Sequence, residues 1–124
     1  MDRWQALNSF WAQFGLTVYD QTTVPTGTDA PAFPYLTYEA AVGSSSDDVF
    51  LTASLWYKSY GWADITAKTE AIHEAIGERG VRVQCDKGVL WIRRANPFAR
   101  RSSDPTDDSI RRMNLMVNVK FETY

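Results

Sequence analysis

Three arginine pairs, Arg93/Arg94, Arg100/Arg101 and Arg111/Arg112, fall within twenty residues and flank a stretch carrying Asp104, Asp107 and Asp108. Guanidinium groups present planar forks of N–H donors that match the oxygens of phosphates and carboxylates. Such a cluster serves one of three ends: salt-dependent contact with DNA, pairing with the acids of another protein surface, or a solvated face. The net charge is −2 and the stretch between the pairs is itself acidic, so protein–protein pairing is the preferred expectation.

The other reactive side chains do not converge on a reaction. His73 is the single histidine and Cys85 the single cysteine. A lone histidine offers one ligand or one base, and nothing stands near it at metal-ligand spacing. A Cys–His pair would be the one nucleophilic option, but Cys85 beside a turn reads as a small buried residue at a strand end. Asp47/Asp48 and Asp107/Asp108 are paired carboxylates in or beside turns, where Asp bonds local backbone. The sequence has no phosphate loop, dinucleotide glycine pattern or zinc cluster. The expectation is a protein that is not an enzyme and needs no cofactor.

The elements that position these residues must come from one domain, residues 1–124. The composition is 44% hydrophobic and 14% aromatic, enough for a core without disulfides or a metal. Five Trp, six Tyr and six Phe supply buried area, and aromatics are also enriched where proteins dock. With one cysteine the fold does not depend on an oxidising compartment. The N-terminus does not read as a signal peptide, and no apolar run is long enough to span a bilayer. A soluble protein made in a cytoplasm, without a membrane partner, is expected.

Charge is unevenly spread. Residues 1–78 hold three bases against ten acids, a balance of −7, and residues 79–124 hold ten bases against five acids, a balance of +5. The split is read three ways: a nucleic-acid surface, a polarised subunit whose positive side meets the negative side of the next copy, or halves that the fold intermixes.

Hydrophobic spacing gives the elements. Residues 2–14 form a helix capped by Asp2, with Trp4, Leu7, Trp11 and Phe14 on one face, Phe10 widening it and Gly15 ending it. A short strand follows at 16–20. Residues 21–34 contain three of the five prolines, including Pro25 and Pro31, and with Val24 and Phe33 read as a long extended loop. Residues 35–42 and 49–58 alternate as two strands of a hairpin joined by Gly43-Ser-Ser-Ser-Asp-Asp48, the second with Phe50 and Trp56 opposite its aliphatic side, so that both its faces are expected to be covered. A second helix over 61–79 buries Trp62, Ile65, Thr69, Ile72 and Ile76 and stops at Gly80. Residues 81–85 and 89–94 form a hairpin around Asp86-Lys87-Gly88. A second long loop is expected at 95–108, and residues 111–124 form a long strand burying Met113, Leu115, Val117, Val119 and Phe121. The predicted class is α+β: an antiparallel sheet with two helices packed on one face and long loops.

The order of these motifs is familiar. Trp4, Leu7, Phe10 and Trp11 in one helix are followed by Val18-Tyr19, Val24-Pro25, Pro34-Tyr35-Leu36-Thr37-Tyr38-Glu39 and Leu51-Thr-Ala-Ser-Leu55-Trp56. Then come Ser59-x-x-Trp62, Gly80, Cys85-Asp86-x-Gly88 and Trp91-Ile92-Arg93. Over nearly its whole length the chain resembles the tail-terminator, or tail-to-head joining, proteins of long-tailed siphophages. The resemblance implies a structural virion protein in the tail neck, assembled as a hexameric ring that caps the tail tube, meets the head–tail connector (stopper) and lets DNA pass through its lumen. It carries over no catalytic motif. On this footing the arginines and aspartates of 93–112, with Val24, Pro25, Pro31 and Phe33, are candidate interface residues. A neighbouring neck or head-completion protein, a tail-tube subunit and a small DNA-binding module are the alternatives, and a small-molecule enzyme fits least.

Overall fold

The computed structural model describes every residue from Met1 to Tyr124. Helix α1 (Arg3–Ala12) is followed by β1 (Thr17–Asp20), a single 3-10 turn (Gly27–Asp29), β2 (Tyr35–Tyr38), β3 (Asp48–Lys58), α2 (Ala63–Ile76), β4 (Val81–Cys85), β5 (Gly88–Ser103) and β6 (Ile110–Thr123). The strands form one sheet in the order β1-β2-β3-β6-β5-β4. The α+β class stands.

Helix α1 begins where its sequence says it should. The Asp2 carboxylate accepts the Gln5 N–H at 2.7 Å, and the Gln5 side chain accepts the Asp2 N–H at 2.9 Å, so two otherwise orphaned donors are satisfied. Ala6, Leu7, Phe10 and Trp11 are its buried residues. Trp4, expected in that stripe, is instead 50% exposed. The buried stripe is centred on Leu7 and Phe10, and a residue one turn before Leu7 falls at its margin.

Helix α2 buries Ile65, Thr69, Ile72 and Ile76 on one face. It ends at Gly77, not at Gly80: Gly77 takes φ +73° and donates its N–H to the His73 carbonyl at 3.2 Å. A positive φ that glycine adopts without steric cost stops the helix three residues earlier than expected.

The sheet is mixed. Pairs β2/β3, β3/β6, β6/β5 and β5/β4 are antiparallel, but β1 runs parallel to β2, with Thr17 opposite Tyr35 and Asp20 opposite Tyr38. A tight hairpin cannot join parallel neighbours; the chain has to travel back the length of the strand. That requirement accounts for the fourteen-residue segment 21–34. Strand β2 stops at Tyr38, four residues short of the expected end, although the Glu39 N–H still bonds the Thr52 carbonyl at 2.9 Å.

The largest departure lies at 95–108, which is not one long loop. After a register shift between Arg94 and Ala99, β5 resumes and pairs Ala99–Ser103 with Leu115–Arg111 of β6. Only the short connection between Ser103 and Ile110 is left outside the strands. Pro97 is tolerated because it lies in the irregular stretch, where no ladder N–H is required. The β4 pairing has already ended at Val81 opposite Ile92, so this part of β5 is a sheet edge.

The core lies between the helices and one face of the sheet. Leu36, Leu51, Leu55, Leu90, Ile92, Leu115 and Val117 meet Leu7, Phe10, Trp11, Ile65, Ile72 and Ile76 there, all at most 2% exposed. Both helices thus cover the same face. The opposite face has no second layer, and Phe50 on it is 57% exposed, so the expected covering of both sides of β3 is absent.

Candidate assembly interface

Neighbouring residues of a strand point to opposite faces, so every adjacent arginine pair is split by the sheet. By the β5/β6 register, Arg93 lies opposite Asn118 and Arg100 opposite Asn114, which places both with Arg112 on the uncovered face. Arg94, Arg101 and Arg111 lie on the face that carries the helices, opposite Val117, Met113 and Ser103. The six guanidinium groups therefore form two half-sets on opposite sides of the sheet.

The helix-side set is absorbed into the fold. Arg94 Nη1 lies 2.8 Å from His73 Nε2, and the His73 ring meets Phe98 edge-on at 5.3 Å. Arg101 stacks over Trp62 at 4.9 Å and reaches Thr66 Oγ1 at 3.5 Å. Arg111 stacks over the same ring at 5.3 Å, donates to the Tyr60 carbonyl at 2.8 Å and bonds the Asp108 carbonyl. Trp62 at the head of α2 is thereby tied to two strands.

On the uncovered face, Arg112 Nε donates to Ser54 Oγ at 3.1 Å, Ser54 to Asn114 Oδ1 at 3.2 Å, and Asn114 Nδ2 to Ser102 Oγ at 3.3 Å. Trp56 Nε1 donates to Thr37 Oγ1 at 3.0 Å, so the row of polar contacts crosses β2, β3, β6 and β5. Aromatics border it: Tyr35 stacks on Trp56 at 6.0 Å and 12° between planes, with Phe33 and Tyr19 at 5.3 and 6.1 Å from Tyr35. Burial raises the Tyr35 hydroxyl above its ordinary pKa.

At the far end, Arg93 stacks on Trp91 at 4.2 Å and pairs with Asp48, whose carboxyl that hydrogen bond holds below its ordinary pKa. Arg82 also stacks on Trp91, at 4.5 Å, and pairs with Glu122 at 3.8 Å. Between the two ends lies an open cleft of about 360 Å³ lined by Phe50, Thr52, Asn96, Pro97, Arg100 and Met116. Arg100 is exposed and makes no hydrogen bond or ion pair within the chain.

Two of the three aspartates of the β5–β6 connection are turned inward on their own backbone, and the third, Asp108, is exposed. Asp104 accepts Thr106 N–H at 2.8 Å and Oγ1–H at 2.7 Å; Asp107 accepts Ser109 N–H at 2.9 Å and Oγ–H at 2.6 Å. These bonds, chiefly the hydroxyl ones, lower both carboxyl pKa values. In the 21–34 segment Val24, Pro25, Pro31 and Phe33 are half-buried, with Phe33 joined to the aromatic border. Cys85 is buried, bonds the Gly88 carbonyl at 3.6 Å and has its thiol pKa raised by burial.

Phe50, Thr52, Asn96, Pro97 and Met116 were not among the interface candidates read from the sequence, although Phe50 was placed on the face away from the aliphatics. The signal was present: Phe50 and Met116 are apolar residues on the polar side of two alternating strands. Charge is also arranged by side. The uncovered face presents Arg82, Arg93, Arg100, Arg112 and Lys120 against Asp48 and Glu122, whereas Asp64, Glu70, Glu74 and Glu78 are exposed on or just beyond α2. No helix is long and apolar enough to cross a membrane.

No family model matches the sequence, and no curated protein does. Among solved structures, a chain of the "Virion of native gene transfer agent (GTA) particle" has the same fold. It superposes with a TM-score of 0.61 over 95% of this chain and 90% of that one, at 23% identity.

Proposed function

We propose that this chain is a structural virion protein, and more narrowly a tail terminator: a ring-forming subunit that caps the tail tube and joins the tail to the head connector. The observation that carries the proposal is the fold, shared almost end to end with a chain of a gene transfer agent virion. The motif order of the sequence supports the narrower role. A ring needs heterologous contacts, in which one surface of a subunit meets a different surface of its neighbour. Bases on the uncovered face and acids on the outer side of α2 suit such head-to-tail pairing. On this reading the partners are further copies of the chain, in a hexamer, the tube protein and the connector, with DNA passing transiently through the lumen. The chain works in the virion neck after synthesis in the host cytoplasm.

The test is electron microscopy of particles made without this protein. Tails of uncontrolled length and unattached heads are expected. Joined particles with tails of normal length would refute the role. Long tubes formed by the purified protein alone would instead identify a tube subunit, and DNA affinity that falls steeply with salt a nucleic-acid module.

A further inference from the structure

The centre of the uncovered sheet face carries no ionised side chain. Across β2, β3 and β6 it presents Thr52, Asn114 and Asn118, with Thr37, Ser54 and Met116 on the same side but buried among their neighbours, and with aromatics and arginines toward its margins. Solvated sheet faces ordinarily display Lys and Glu. A surface depleted of them and enriched in aromatics, Met and Arg has the make-up of a buried protein contact. The cleft at Phe50 and Met116 gives it relief, and Arg100 at the cleft is a cation without a partner.

The same chain carries a surface with the complementary pattern. On the outer side of α2, Ala63, Ala67, Ala71 and Ala75 are all exposed, at i, i+4 spacing that forms one continuous row. Beside it run Glu70, Glu74 and Glu78, with Asp64 on the other flank, and all four acids are exposed. Alanines let a sheet approach closely, and Glu74 points almost directly away from the buried face of Ile65, Thr69, Ile72 and Ile76. The dimensions also match. Fourteen helical residues span roughly 21 Å, well within the roughly 36 Å of the eleven-residue β3.

We propose that the uncovered sheet face of one copy receives the outer side of α2 from the next copy, with the alanine row over Thr52 and Asn114 and Glu74 paired to Arg100. This inference rests on the ring reading and names its contact. Each copy would offer one surface and accept on the other, so the contact repeats around a closed assembly. DNA is less well suited to this face. Arg93 and Arg82 are already ion-paired there, and Arg112 is held between Trp56 and Ser54.

The test uses the full chain with Cys85→Ala, so that Thr52→Cys and Ala67→Cys each supply the one thiol of their variant, and a short bis-maleimide. Mixed together, they should cross-link about tenfold faster than either variant alone, because only the mixed pair juxtaposes the two thiols. Adding Arg100→Glu to the first variant should slow the mixed reaction about fivefold, and adding Glu74→Arg to the second should restore it. Circular dichroism confirms that each variant is folded. Equal rates in mixed and unmixed samples would overturn the proposal. So would an Arg100→Glu change that abolishes binding of duplex DNA while leaving cross-linking unaltered. Capped tails together with equal cross-linking rates would remove this contact and leave the terminator role intact, whereas particles that assemble normally without the protein would remove the role itself.

Discussion

The guanidinium of Arg112 lies 4.5 Å from the centroid of the Trp56 ring while its Nε donates to Ser54 Oγ at 3.1 Å. Trp56 is stacked in turn on Tyr35, so an arginine of β6 closes an aromatic row that begins on β2. An arginine that sequence assigned to an intermolecular role thus also organises its own sheet face.

Arg112→Ala should cost about 1 kcal/mol in urea unfolding, combining a half-exposed cation–π contact with one side-chain hydrogen bond. Arg112→Lys should recover little of it, because an ammonium neither stacks flat nor supplies the Nε–H to Ser54. Equal stability of the three proteins would show that the stack is incidental.

The uncovered face should be energetically unlike the core. Leu115 in central β6 is fully buried, and Leu115→Ala should cost about 2–5 kcal/mol. Phe50→Ala, at a residue 57% exposed, should cost about 0.5 kcal/mol or less in the isolated chain. Paired denaturant curves check the contrast; a Phe50 loss as large as that at Leu115 would mean the face is covered in the free protein.

Gly88 sits against β6 where a Cβ would come within 2.2 Å of the Glu122 carbonyl oxygen. That atom is backbone within the paired strand and cannot rotate away. Gly88→Ala should therefore destabilise by about 1–3 kcal/mol through displacement of the β5–β6 ladder. Gly43→Ala offers a comparison, since its near contact, at 2.5 Å, is a Val49 methyl that can shift. A thermal melt in which Gly88→Ala is harmless would contradict the register at this turn.

The turn aspartates hold their charge to lower pH than ordinary carboxylates. The hydroxyl and N–H bonds from Ser109 depress the folded-state pKa of Asp107, and those from Thr106 depress that of Asp104. A depressed carboxyl contributes stability that is present above its unfolded pKa and fades as pH falls through the folded one. The stability difference between wild type and Asp107→Ala should accordingly be full at neutral pH and shrink in the acid range below the ordinary carboxylate pKa. Urea midpoints across that range measure it; a difference independent of pH would mean that the charge on Asp107 is irrelevant.

What sequence revealed and concealed has physical causes. The alternation of Met113 through Phe121 marked β6 because a strand with one buried face leaves a period of two. The Asp2 cap was visible because it is local. Non-local pairing was not. Nothing in residues 17–20 says that their neighbour runs parallel, and the prolines of 21–34 describe the crossover without its destination. Asn96-Pro97 looked like the start of a loop because Pro interrupts a ladder, yet at a free edge the strand resumes two residues later. The interface candidates suffered the same limit. Counting Arg93 to Arg112 finds six bases close in sequence, whereas the pleat sends three of them to each side.

Because the pleat separates Arg100 from Arg101, the two should fail differently when reversed. Arg101 stacks on Trp62 beside Arg111 and reaches Thr66, so Arg101→Glu removes a cation from α2's anchor. A loss of about 1 kcal/mol in folding stability is expected. Arg100 makes no hydrogen bond, ion pair or cation–π stack in its own chain, so Arg100→Glu should leave the melting temperature nearly unchanged and act on assembly alone. Scoring both variants for thermal stability and for head–tail joining separates the roles. Joining that survives both changes, singly and combined, would place the contact elsewhere than on these arginines; loss of joining by Arg100→Glu with an unaltered melt would locate it on the uncovered face.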